Sequence, residues 1–300
     1  MCIEIPDVRV GQPTRCGALE VFPLFTERLP HGTLEYLLSA EAMAAGTCTV
    51  VETGKVSELT VENTGKKPVL FLEGEEVCGG RQNRAVGESV LVGAGTRTTV
   101  PVFCVERGRW GGSSPHLMAG SHCPPSLRHV LKRGSSVTGT FRSINSQAAV
   151  WRLIAAKHFA TGTCSQYENM SDALRPEVVE GLRQTLKYPE GASGIAVTRN
   201  GKTIGIDVFD RPDSLQKLWD RLVIMGLTLD AVDLRDADLQ ADDISRSVQL
   251  YMDSIRSMRW QQMESVALGE LYRATGDDGS LATALVVDGS LLHVSMSAPI

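Results

Sequence analysis

Three hundred residues, 42% hydrophobic and 22% charged, suit one large domain or two small ones around an ordinary soluble core. A net charge of −5 supplies no global positive field, which argues against a chain that holds DNA, RNA or an anionic membrane by bulk electrostatics. No window approaches the roughly 18 uninterrupted apolar residues of a membrane span, and "MCIEIPDVRVGQ" lacks the basic-then-apolar order of a signal peptide, so the expectation is a cytoplasmic protein without membrane contact.

In chain order, "TLEYLLSAEAMAAG" (33–46) predicts a helix, with Leu34, Leu37, Leu38, Ala42 and Ala45 near helical spacing, Thr33 as cap and Gly46 as stop. Strands follow in "CTVVETG" and "VSELTVENTG" (48–65), with a turn at 63–66. "KPVLFLEGEEVCGG" reads as a strand, a turn over 73–75 and a return strand; "SVLVGAGTRTTVPVFCVERGRW" reads as two more strands about a break at 93–95. From about 111 to 144 the composition turns to Gly, Ser, Pro, His and Arg without a sustained apolar period, which predicts a long surface loop or lid. Helices are expected at 145–159, 176–186 and 214–232, and from about 243 to 260. Between them, 193–210 is the clearest hairpin, turning at Asn200-Gly201. "SVALGELYRAT" and "ALVVDGSLLHVSMSA" predict two final strands, the second broken at Asp288-Gly289. The fold class is therefore α+β: antiparallel sheets packed with helices, arranged as two pseudo-symmetric β units in one compact domain covering 1–300. The stretches 67–83 and 193–210 echo each other as strand, glycine turn, strand.

Chemistry-bearing residues concentrate in "LEGEEVCGGRQNRAV" (72–86) and "CVERGRW" (104–110). Glu73 and Glu76 are candidate catalytic residues: two inward carboxylates, with Glu75 facing solvent, can hold a divalent metal or act as general acid and base, while Gly79 and Gly80 admit a ligand close to the backbone. The alternative is a solvated acidic hairpin. Gln82 and Asn83 can read a base or ribose, and Arg84 can fork onto phosphate or pair internally with Glu73 or Glu76. Glu106, Arg109 and Trp110 complete the candidate ligand-binding set, with Arg107 and Arg109 clamping a diphosphate and Trp110 stacking on adenine or closing the edge of the core.

His116, His122, Cys123 and His129 lie close in sequence, but at spacings that fit no standard zinc pattern. The seven cysteines lack CxxC spacing and read as reduced thiols, with Cys78 and Cys104 buried. "DLRDADLQADD" (233–243) reads as a solvated acidic connection.

Taken together, "LEGEEVCGGRQNRAV", "VLVGAG" (90–95), "TVPVFCVERGRW" (99–110), "SQAAVW" (146–151) and "GIAVTRNGKTIGIDVFDRPDSLQKLWDRL" (194–222) resemble the ARPP-1 domain, over roughly 20–298. That family is associated with ADP-ribosyl glycohydrolase and rhodanese-phosphatase superfamily proteins. The resemblance implies a link to NAD and ADP-ribose metabolism and supplies no catalytic residue; at 148–149 the chain has Ala-Ala where the family pattern has a glycine and a carboxylate before Val-Trp. The leading expectation is a protein that recognises, and as a hydrolase acts on, an ADP-ribose or NAD-like small-molecule nucleotide in a cleft between the two motifs, with 111–144 as cover. The competing expectation is a non-enzymatic module in which the same charges are structural and an exposed face docks a protein partner. A nucleic-acid enzyme rests only on the local patch of Arg128, Lys132, Arg133 and Arg142.

Overall fold

Two-residue periodicity in short β-branched runs, with glycine turns between them, produces sheets, and two separate sheet systems result. The computed structural model describes residues 3–26, 34–111, 116–134, 144–231 and 241–299. The chain is an α+β protein dividing into two compact units, one made of Met1–Thr33, Pro176–Glu264 and Gly269–Ile300, the other of Leu34–Arg175 and Ser265–Leu268. Thr33, Arg142 and most of the acidic run at 233–243 lie outside the described residues.

The first unit is an antiparallel nine-stranded sheet in the order Val8–Val10, Leu19–Thr26, Gly194–Arg199, Lys202–Phe209, Ser290–Ser297, Leu281–Val287, Glu270–Thr275, Gln261–Met263, with Thr14–Cys16 also pairing with Leu19–Thr26. Asn200 and Gly201 have φ of 50° and 75°, as a type I′ hairpin turn demands. Asp288 and Gly289 repeat that geometry at 50° and 76°. The expected broken strand is therefore a second hairpin, Leu281–Val287 against Ser290–Ser297, closed at Val287 and Ser290. Helix Ala241–Ser257 lays Val248, Met252 and Ile255, spaced by four and three residues, on Phe22, Leu24, Ala196, Ile206, Val208 and Val294. The helix expected over 214–232 comprises Pro212–Leu218, a π-helical stretch Trp219–Met225, and Gly226–Ala231.

The second unit is a closed antiparallel barrel of six strands: Arg97–Cys104, Glu58–Asn63, Cys48–Glu52, His116–His122, Glu75–Gly79 and Arg84–Val86, which returns to Arg97–Cys104. Beside it, Val90–Val92, Val69–Phe71 and Leu37–Leu38 form a three-stranded sheet. Val50, Leu59, Val61, Val77, Val86, Val100, Val102 and Leu117 share one core with Val69, Phe71, Val90 and Val92, which identifies the inward face of each barrel strand.

Three expectations are corrected in this unit. The helix over 33–46 is shorter, Ser39–Ala44, because Leu37–Leu38 pairs in parallel with Val69–Leu70; Gly46 does stop it, at φ 70°. The acidic stretch is not the tip of a hairpin: Val69–Phe71 and Glu75–Gly79 belong to different sheets, so 72–74 is a crossover, and the hairpin lies one step later, between Glu75–Gly79 and Arg84–Val86. The two stretches that echo each other in sequence therefore pair differently. The segment read as a loop or lid contributes barrel strand His116–His122 and helix Pro125–Gly134. Leu127 and Leu131, one helical turn apart, are fully buried, but so are Arg128 and Lys132, and these charges hid the apolar period.

Asn63 ties the barrel to the small sheet. Its buried amide nitrogen reaches the carbonyls of Lys67, Val92 and Gly93 at 2.9, 3.3 and 3.0 Å, and its oxygen accepts the Gly65 N–H at 2.9 Å. Asn63→Ala orphans several buried groups at once and is expected to lower unfolding free energy by about 2–4 kcal/mol, read by urea denaturation with an unchanged m-value. A loss under about 1 kcal/mol would refute this role.

Candidate functional site

Alternation along Glu75–Gly79 decides where the acids go. Val77 faces the barrel core, so Glu75 shares its side while Glu76 and Cys78 face outward. Glu75 was expected in solvent; it is buried at 2% exposure, accepts the Ser39 hydroxyl and takes the Leu72 N–H at 3.2 Å. Glu76 is fully buried: its Oε2 accepts the Ser121 N–H (3.1 Å), the Ser121 hydroxyl (2.6 Å) and the Ser171 hydroxyl, whereas Oε1 meets no donor among the described residues.

Glu73, in the crossover, meets helix Pro125–Gly134. Lys132 Nζ lies 2.5 Å and Arg128 Nε 3.5 Å from its Oε1, with the Lys132 and Glu73 side chains 0% and 1% exposed. Gly74 (φ 83°) is required here, since a Cβ would stand 2.9 Å from Arg128 and 3.0 Å from His122. Glu73 and Glu76 are thus each enclosed by their own partners rather than facing each other across an open site. The anticipated partner, Arg84, pairs with neither.

The second cluster occupies one end of the barrel, where Glu52, Gly79 and Cys104 end their strands and Arg84 begins its own. Arg109 binds Glu106 through Nε and Nη2, both at 2.7 Å, then reaches Gly80 O at 2.8 Å and Asn83 Oδ1 at 3.1 Å. Glu106 also accepts the Asn83 N–H at 2.9 Å. Asn83 takes the Gly79 N–H at 2.9 Å and donates to Asn169 at 3.0 Å. Arg109 therefore clamps the 79–83 turn, and its hydrogen bond to Glu106 is the main cause of its raised pKa. Trp110 is 53% exposed, and the Arg107 guanidinium lies over Trp151 instead, 5.7 Å from its ring.

Arg84 is different. It shares the inward side of Val86, has 0% exposed side chain, and none of its three nitrogens has a hydrogen-bond acceptor among the described residues. Its ionic neighbour is Glu52, whose Oε2 stands 3.9 Å from Nη2. Glu52, inward like Val50, is the less buried member, with 12% of its side chain open and Oε1 accepting the Arg81 N–H at 2.8 Å. Gln82, 4% exposed, also leaves Oε1 without a partner among the described residues. Sequence reasoning missed Glu52, Ser121 and Ser171, and placed Lys132 in a basic patch where the structure pairs it with Glu73; the one available signal was Glu52 at the end of an alternating strand whose other inward residues are apolar.

Among the described residues, no group of three or more His, Cys, Asp and Glu is placed to hold a metal. His122 is buried at a strand end with Nδ1 3.1 Å from Cys123 O. Burial, with help from Glu75, pushes the Cys48 thiol up to about 12; burial raises Cys104 and carries Cys123 well above the ordinary thiol range. Cys104 is buried as expected, whereas Cys78 is half-buried. No described helix is long and apolar enough to cross a membrane.

A closed six-stranded barrel packed with helices, with charged residues buried along its strands, defines an α+β protein in which the Arg84 guanidinium at one barrel end meets no hydrogen-bond acceptor among the described residues. The chain belongs to the family of the ARG and Rhodanese-Phosphatase-superfamily-associated Protein domain, ARPP-1, whose model matches residues 7–297. No curated protein and no solved structure matches the chain.

Removing Lys132 takes the nearer of two cations away from the buried Glu73 carboxylate, so Lys132→Met is expected to cost about 3–5 kcal/mol in denaturant unfolding. Adding Glu73→Gln is expected to recover part of that loss in a double-mutant cycle; strictly additive effects would exclude the coupling.

Proposed function

We propose that this chain recognises an anionic nucleotide of the ADP-ribose or NAD type at the end of the barrel that carries Arg84, and acts as a binding module in which Glu73 serves the fold. The observation that carries the reading is Arg84: a fully buried guanidinium with no hydrogen-bonded acceptor among the described residues. Leaving a buried charge so poorly matched is costly, and a phosphate is the natural complement to its planar donors. Gln82, with an unpartnered buried carbonyl in the same turn, supplies an acceptor for a ribose hydroxyl or an adenine amine. Arg109 and Glu106 hold that turn and act as positioning residues. The nucleotide class comes from the family association with ADP-ribosyl glycohydrolase proteins, which the donor and acceptor set suits.

One observation favours hydrolysis as a second reading. Glu76 keeps one buried oxygen free among the described residues while three donors hold the other, which suits a carboxyl that exchanges a proton with a ligand.

Thermal-shift measurements with ADP-ribose, NAD and AMP test the first reading. Wild type is expected to melt higher by a few degrees at saturating ligand. Arg84→Met is expected to abolish that response while melting no lower than wild type without ligand, because an apolar side chain replaces a poorly paired buried charge. No shift with any of the three compounds would remove the proposal. Hydrolysis is tested by product release from ADP-ribose and NAD, with loss in Glu76→Gln expected if Glu76 exchanges the proton.

A further inference from the structure

Arg84 has a charge opposite it but no hydrogen bond to that charge. Glu52 Oε2 stands 3.9 Å from Nη2, too far for a hydrogen bond and close enough for strong Coulombic attraction in a buried setting. The other Glu52 oxygen is held by the Arg81 N–H at 2.8 Å. Gly80 leaves room for the same oxygen: a Cβ at that position, where φ is 55°, would stand 2.6 Å from Glu52 Oε1. The carboxylate therefore seats against the turn, held by the Arg81 N–H and short of hydrogen-bonding distance to the guanidinium. Of the two side chains, Arg84 is 0% exposed and Glu52 12%, so the anionic member is the one within reach of solvent.

We propose that Glu52 is a built-in counter-anion that a ligand phosphate displaces from Arg84, which makes this site selective for doubly charged phosphate groups. The inference rests on the proposed anion recognition at Arg84 and extends it. Binding is an exchange of anions with no bond made or broken: the carboxylate turns towards water, where its hydration is recovered, and the phosphate takes up the guanidinium donors left open in the free protein. A singly charged carboxylate ligand gains little by such an exchange, because it replaces like with like. A dianionic phosphate or a diphosphate gains more, with greater charge and enough oxygens to accept two parallel N–H bonds. Glu52 thereby sets specificity by lowering the affinity of every anion and leaving only the more highly charged ones able to bind.

Isothermal titration of the full chain with inorganic pyrophosphate tests this. Glu52→Gln keeps the carbonyl oxygen that accepts the Arg81 N–H but removes the competing charge, and is expected to bind pyrophosphate about tenfold more tightly than wild type. It is also expected to gain measurable acetate binding that wild type lacks. Glu52→Asp, which keeps the charge, is expected to stay close to wild type. Equal pyrophosphate affinity in wild type and Glu52→Gln, or no binding by either, overturns the inference. A circular-dichroism melt of each variant confirms that the folded protein is being compared, and a Glu52→Gln chain that does not fold would itself overturn it by making Glu52 a required structural partner. Failure of the nucleotide reading remains distinguishable: pyrophosphate binding strengthened in Glu52→Gln, without any response to ADP-ribose, NAD or AMP, would retain the anion exchange and discard the nucleotide.

Discussion

Closure of the six-stranded barrel is the constraint on which the rest of the second unit depends. Closure removes sheet edges, so the alternate residues of each strand must turn either into the barrel or away from it, with no third option. The run from Glu73 to Arg84 is therefore divided by geometry. Glu75 and Arg84 share the inward side of Val77 and Val86, Glu76 and Cys78 point out, and Glu73 is left in the crossover between sheets. A stretch that looks like one charged patch is three separate environments, each requiring its own partner.

How those environments are satisfied separates structural charge from charge available for function. Glu73 is matched by Lys132 and Arg128, and Glu76 by two hydroxyls and a backbone N–H, so their desolvation is offset at short range. Arg109 is engaged at Nε, Nη1 and Nη2 by acceptors of the 79–83 turn and of Glu106. Arg84, as deeply buried as any of these, meets no hydrogen-bond acceptor among the described residues and faces the Glu52 carboxylate from beyond hydrogen-bonding distance. The contrast with Lys132 and Arg128 lies in partner geometry, since these cations are also buried, with 0% and 4% of their side chains exposed.

That contrast also explains what the sequence made legible. Antiparallel hairpins announced themselves wherever a local rule sufficed: Asn200-Gly201 needs positive φ at two positions and has it. The α+β class, the 176–186 helix and the concentration of polar chemistry in 72–86 and 104–110 were likewise local in origin. Elements fixed by distant partners were not legible. Lys132 reads as a solvent-facing charge until Glu73, 59 residues away, is placed against it, and only then does 125–134 become a buried helix rather than part of a lid. Glu52 stood out only as a charge at the end of an apolar alternation, because its significance arises from Arg84 across the barrel end.

Mechanical asymmetry gives the Arg84–Glu52 pair its character. Arg84 is fixed: Cys104 faces it across one ladder and Val77 across the other, Val86 two residues on lies in the core, and the preceding turn is clamped by Arg109 and Glu106. Glu52 is the last residue of its strand and runs into an exposed turn at 54–57, where backbone adjustment costs little. Two buried charges that were equally fixed would form a structural ion pair, and two equally mobile ones would relax to hydrogen-bonding distance. A fixed cation with a movable, imperfectly seated anion does neither, and that arrangement lets an incoming anion compete for the cation without unfolding the barrel that holds it.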